Sequence, residues 1–412
     1  MVFDQTPNVP PVKKSGFKVW YKKFSSQPHQ PFFTSGIIFF ILFLSMFTAV
    51  YSGLINVDAS VLTYHAYSMI FVVFIQFFLG FLFVVFPRFL MQAEILPKVY
   101  MQQFQLYLLS SLGVLLSLLF FSEITVVFQL IMFVAQVLSF KLLFEIHKKS
   151  LMKVKEDTKW VLIGFASGLV AHLLFIISSF DFNYSFLINK LALNAGFYLF
   201  LFMIIFAISQ RMIPFFTTAK APGYVVNKTK NILLYVYVLL ALKVLVLAFL
   251  DTAFNLLVDI PLFILITREL IKWKLPFFKV PAIMWVLYLA LYWIPVAFLL
   301  SIVESIMAIY SPEILFEKVV VHTIALGYFV TVLLGFGTRV VLGHSGSTPH
   351  ANNFAIVIFV AVQFIVLLRI VSSFALNSDN MYLTLINTTA ILLIAGLIIW
   401  STKYLTILFK GK

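Results

Sequence analysis

Residues 32–52 form an apolar run with no charged side chain, and eleven further stretches that are mostly apolar follow at 64–87, 100–121, 124–145, 160–180, 186–213, 231–250, 253–273, 281–309, 315–342, 353–374 and 381–409. About 20 apolar residues wound as a helix match the hydrocarbon thickness of a bilayer. Inside hydrocarbon each backbone N–H and C=O must be paired within the protein, which leaves a helix as the natural state of such a stretch. The pattern therefore predicts an all-α, polytopic integral membrane protein of about twelve transmembrane helices. Residues 1–31 read as a basic tail and 32–412 as the twelve-helix domain. The tail lacks the short apolar core and cleavage site of a signal peptide. Connections are mostly short, so consecutive helices pack as antiparallel neighbours, and Gly53, Pro87, Pro214, Pro276 and Gly343 punctuate their ends. The chain shows no soluble domain and no clear sequence repeat.

Charge sets the expected orientation. Only 11% of residues are charged, yet the chain carries a net +14. With the tail in the cytoplasm, most Lys and Arg fall in cytoplasmic segments, including Lys13, Lys14, Lys18, Lys22 and Lys23 and the cluster Lys148, Lys149, Lys153 and Lys155. The opposite connections carry Asp58, Glu123, Asp181, Asp251, Glu304, Glu313 and Asp379. This is the positive-inside distribution, with both termini cytoplasmic. The basic balance thus needs no nucleic acid; its natural partner is the lipid bilayer with its anionic inner surface. There is no Cys, which excludes disulfides, thiolate haem ligation and Cys-based zinc or iron–sulfur sites. A metal has to be held by His, Met or carboxylates.

An ionisable side chain within a span is expensive and asks for a partner or a purpose. Lys243 and Asp259 sit at matching depths on either side of the short connection between spans seven and eight, so they are expected to form a structural ion pair; an ion or proton pathway is the other reading. His65 and His322 open spans two and ten from the outer side, and His172 lies past the middle of span five. One such histidine is ordinarily a hydrogen-bonded packing residue. Three at related depth suggest a cofactor, because imidazole is a common ligand of haem iron and copper. Met69 follows His65 by four residues and shares its helix face, which suits copper ligation or plain packing.

The stretch "TRVVLGHSGSTPH" (338–350) ends span ten. His344 is 22 residues from His322, about 33 Å along a helix, so the two cannot share a metal. Arg339 and His344 belong at the cytoplasmic interface, as does Arg211 in "QRMIPFFTT". Arg there is ordinarily a headgroup anchor and a favourable charge at a helix C-terminus. Two Arg beside a His also form a candidate inner anion or metal site.

Several segments together are similar to one family. "YHAYSMIFVVFIQFFLGFLFVVFP" (64–87), "QRMIPFFTTA" (210–219) and "HTIALGYFVTVLLGFGTRVVLGHSG" (322–346) resemble the NnrS family in order and approximate spacing. "PHQPFF" (28–33) and "WVLYLALYWIP" (285–295) add weaker matches. The resemblance implies a bacterial inner-membrane protein that binds haem, of the b type, and copper. It also implies a role in the response to nitric oxide or nitrosative stress, often linked with denitrification. The matching positions are His65, His322, Arg339, His344 and Arg211, with His172 a looser match. The family's second His and following acidic residue are here Tyr67 and Ser68, its span-nine His is Tyr288, and a polar motif after span two is "RFLM" (88–91). These departures favour haem over copper.

Bis-His haem needs imidazoles from facing helices, and His65 and His322 have compatible depths near the periplasmic face. Nitric oxide, another small ligand or a periplasmic electron donor would reach them there. Twelve spans with histidines on the second and tenth are also a layout similar to that of haem–copper oxidases. A membrane haem oxidoreductase acting on nitric oxide is a further reading, requiring an open metal position. A cofactor-free transporter or structural membrane subunit that keeps the fold is the alternative.

Overall fold

A computed structural model describes residues 16–180, 182–346, 348–377 and 381–411. Lys13, Lys14, Asp181 and Asp379 lie outside the described residues. The described chain is helical, with no strand. A short helix α1 (Gly16–Phe24) precedes α2 (His29–Tyr51), α3 (Val61–Phe89), α4 (Pro97–Phe120), α5 (Ser122–Lys149) and α6 (Glu156–Ser178). Then come α7 (Ser185–Thr218), α8 (Ile232–Phe249), α9 (Leu256–Trp273), α10 (Ala282–Tyr310), α11 (Val319–His344), α12 (Asn353–Phe374) and α13 (Tyr382–Lys410).

Eleven of these helices, among the described residues, are long and apolar enough to cross a membrane. The expected eighth span, α9, departs from that standard because its 18 residues include Asp259, Arg268, Glu269 and Lys272. It nevertheless packs lengthwise between α8 and α10. Two facts make it a full traverse. Eighteen residues rise about 27 Å. In addition, Trp20 of α1 donates its indole N–H to the Phe409 carbonyl at the end of α13, at 2.8 Å, so both ends of the chain meet on one face. Ends on one face require an even number of crossings. That face bears the lysine-rich connections and is called the basic face below; the other is the acidic face.

The bundle repeats with a period of four helices, although the sequence does not. α2 packs on α3, α6 on α7 and α10 on α11; α5 packs on α6, α9 on α10, and α13 closes the ring on α2. The inner member of each set is α3, α7 or α11. Their apolar windows are 89%, 78% and 78% buried, against 61% or less for the other apolar spans. Each of the three also contains a π-helical segment toward the acidic face, at Ser68–Val73, Gly196–Phe202 and Thr323–Val330. Such i→i+5 turns are uncommon and gather at functional sites. Close approach depends on missing side chains: a Cβ at Gly168 would stand 2.4 Å from the Phe200 ring, and one at Gly327 would stand 2.6 Å from Trp293.

One charged contact is sealed inside the bundle. Lys243 of α8 donates to both Asp259 oxygens of α9, at 2.7 and 2.9 Å, and Ser301 of α10 donates to Asp259 at 2.5 Å. The two side chains are 1% and 0% exposed. Removing one partner of a buried pair strands the other charge and costs about 3–5 kcal/mol, whereas replacing both with apolar residues is often neutral. Lys243→Met is therefore expected to lower the thermal stability of the detergent-purified protein strongly. Lys243→Met with Asp259→Leu should recover most of it. Equal melting temperatures for wild type and the single variant would remove the pair from the fold's main supports.

Candidate functional site: paired histidines at the two ends of α11

α11 carries a histidine at each end, and each meets a histidine from another helix. At the acidic face, the rings of His65 (α3) and His322 (α11) have centroids 6.4 Å apart and planes within 18°. Phe47 stands edge-on to His65 at 5.3 Å. His322 Nδ1 lies 3.0 Å from the Lys318 carbonyl and 3.1 Å from an Arg369 guanidinium nitrogen of α12. Arg369 also donates to Ser373 at 2.6 Å. Those two neighbours ask for opposite tautomers. The Lys318 carbonyl accepts an Nδ1–H and leaves Nε2 bare for a metal, while Arg369 donates into a bare Nδ1. Sequence reasoning missed Arg369, although the test that singled out Lys243 applies equally to an Arg inside the "FIVLLRIVSS" run (364–373).

The separation of the pair can be compared with that of two imidazoles on one metal. A metal–nitrogen bond of about 2.0 Å plus about 1.1 Å from nitrogen to ring centre puts two opposed imidazole centroids about 6.2 Å apart. Near-parallel rings stand at the same separation elsewhere in the bundle, 6.3 Å for both Phe43–Phe47 and Phe71–Phe200, so the distance fits offset packing as well as a shared metal.

His172 of α6 is engaged elsewhere. The Gln136 amide nitrogen donates to the Phe71 carbonyl at 3.0 Å, which leaves its oxygen to accept from His172 Nδ1 at 2.8 Å. Nε2 is then the acceptor for the Tyr67 hydroxyl at 3.0 Å. The ring is fully buried and stacks on Phe71 at 4.6 Å. Both ring nitrogens are thus used within the protein. Among the described residues no three His, Asp or Glu side chains gather as a metal set, so His65, His322 and His172 do not form one centre. Met69, one turn below His65, is partly buried against the core. Tyr67 and Ser68 stand where the family expectation has an imidazole and an acid. Tyr67 bonds to His172, while the buried Ser68 hydroxyl has no partner.

At the basic face the rings of His29 (α2) and His344 (α11) lie 4.4 Å apart. His29 is buried and its Nδ1 has no hydrogen-bond partner. His29 belongs to "PHQPFF", and its position just ahead of span one puts it at the level of His344. Arg211, Arg339 and His344 each meet a different neighbour. Arg211 pairs with Asp157 at 2.8 Å and lies 4.0 Å above the Phe89 ring of α3. Arg339 lies 3.8 Å above the Phe216 ring of α7. The four-helix period explains this pattern: each arginine covers the aromatic at the end of the preceding inner helix. The α11 position matching Phe216, five residues after the arginine, is His344, and the ring it meets is His29. Tyr288 also belongs to this end, its hydroxyl 2.7 Å from that of Thr217 in the last turn of α7.

Beside Arg211 a polar network ties down the connection between α7 and α8. Gln210 donates to Asp157 at 2.6 Å, and Lys228 donates to the Gln210 carbonyl and, at 3.0 Å, to its side-chain oxygen. Glu269 of α9 accepts from the Thr229 N–H at 3.0 Å and from the Trp273 indole at 2.8 Å. Burial pulls the Lys228 pKa below its ordinary value, against the raising influence of Asp157 and Glu269.

Fold and site together define a polytopic helical membrane protein with histidine pairs at both ends of one central helix. The chain belongs to the NnrS family: the family profile, described as NnrS protein, matches residues 23–412. Among curated proteins no match to the chain was found.

The Tyr67–His172 bond yields a prediction that is independent of any cofactor. Tyr67→Phe leaves a buried imidazole nitrogen unpaired, at a cost of about 1–3 kcal/mol. The variant should melt several degrees below wild type in detergent; an unchanged melting temperature would mean that the bond carries no net stability.

Proposed function

We propose that this NnrS-type protein binds haem at the acidic face through His65 and His322, and acts in the response to nitric oxide or nitrosative stress in a bacterial inner membrane, with the basic face cytoplasmic. The observation that carries the reading is the His65–His322 pair, with centroids 6.4 Å apart and planes 18° from parallel. When bound, a haem supplies an iron centre for electron transfer or for a diatomic ligand. His65 and His322 bind it from opposite helices. Of the two His322 tautomers, the one with Nδ1–H on the Lys318 carbonyl leaves Nε2 free for the iron, and Arg369 provides a positive charge beside it. Phe47 orients His65 and excludes water from one side of it. Copper fits the donors less well, because Tyr67 and Tyr288 occupy expected imidazole positions and spend their hydroxyls within the protein.

The visible absorption spectrum of the detergent-purified protein, with iron and copper analysis, tests the proposal. A Soret band with stoichiometric iron is expected. His65→Ala and His322→Ala should each remove most of it, while His344→Ala, at the other end of α11, should keep it. A protein without a Soret band, or one whose His65 and His322 variants keep full haem, would overturn the assignment.

A further inference from the structure

Where α3, α7 and α11 meet, just below their π-helical segments, packing leaves a cavity of about 60 Å³. Its wall is apolar, formed chiefly by Phe74, Phe78, Ile205, Ile208, Phe329 and Phe336. Each of these six side chains is itself buried. Water is a poor occupant, because a buried water needs two to four polar partners and this wall offers none. The volume is several times that of the smallest water-holding cavity and less than half of the roughly 150 Å³ that accepts benzene. It therefore suits one small apolar molecule. Two further wall residues, Phe81 and Leu333, are partly exposed, so the space is open on one side.

We propose that this cavity is a binding site for a small apolar gas of diatomic size. At its acidic-face end the Phe74 and Phe329 rings meet edge to face at 5.8 Å. His65 precedes Phe74 by nine residues on α3, and His322 precedes Phe329 by seven on α11, so the site lies about 10–13 Å below the histidine pair. Binding of the gas does not depend on any cofactor; only the purpose, supply of ligand to the pair, rests on the function proposed above.

Xenon is the probe. Crystals of the full chain under xenon pressure, or xenon NMR of the detergent-purified protein against empty micelles, should reveal one site lined by Phe74, Ile208 and Phe329. Val332→Phe and Ile208→Phe each add bulk to the wall and should weaken xenon binding at least about tenfold, while Phe78→Ala enlarges the space and should strengthen it. Gel filtration and melting curves identify which variants fold, and any folded member of the set suffices for the comparison. Absence of xenon from wild type, a detergent tail in the cavity, or equal xenon binding in wild type and a folded filled variant would overturn the proposal. Xenon binding by a protein that holds no haem would support the gas site and leave the haem proposal to fail on its own test.

Discussion

The enclosure of α3, α7 and α11 by the other spans governs where everything else can lie. A helix largely surrounded by helices has little lipid to face, so most of its residues must fill space against neighbours. Glycines at such contacts let backbones close up, as at Gly327 beneath Trp293. The same enclosure is what makes polar groups possible at all. Asp259, Lys243 and His172 are each sealed from the bilayer, and each is paired with side chains from other helices.

The four-helix period gives the two ends of α11 different characters. At the basic face a cation or a histidine stacks on the ring that ends an inner helix, and this recurs at Phe89, Phe216 and His344. Such contacts hold the helix ends at the headgroup level and bind charge to aromatic faces. At the acidic face the His65–His322 rings stand farther apart, at 6.4 Å against 4.4 Å. Between the two ends the apolar cavity lies where α3, α7 and α11 meet, with Phe33 of α2 in its wall.

Much of the candidate site was legible from residue type and depth. His65 and His322 both open their spans from the same side, and span length alone places them at one level. His344 was separable from His322 because 22 helical residues reach across the whole hydrocarbon layer. Arg369 and His29 were less visible, since each lies outside the segments that stood out and acquires meaning only through what it touches. His172 shows the opposite case: depth grouped it with the other two histidines, and side-chain direction sent it to Tyr67 and Gln136.

Hydrophobic blocks and flanking charge, read along the chain, determined that this is a helical membrane protein, how its spans are divided and which connections share a face. Those properties follow from each segment's own exchange between water and hydrocarbon, so they are local. By its sequence α9 counts as the eighth span despite its four charges, and the meeting of Trp20 with Phe409 agrees with an even number of spans. Only the tertiary structure decided the four-helix period, the enclosure of three helices and the partner of each histidine. These depend on the rotation of each helix about its axis and on which helix lies beside it, and an apolar span reads much the same in sequence from every side.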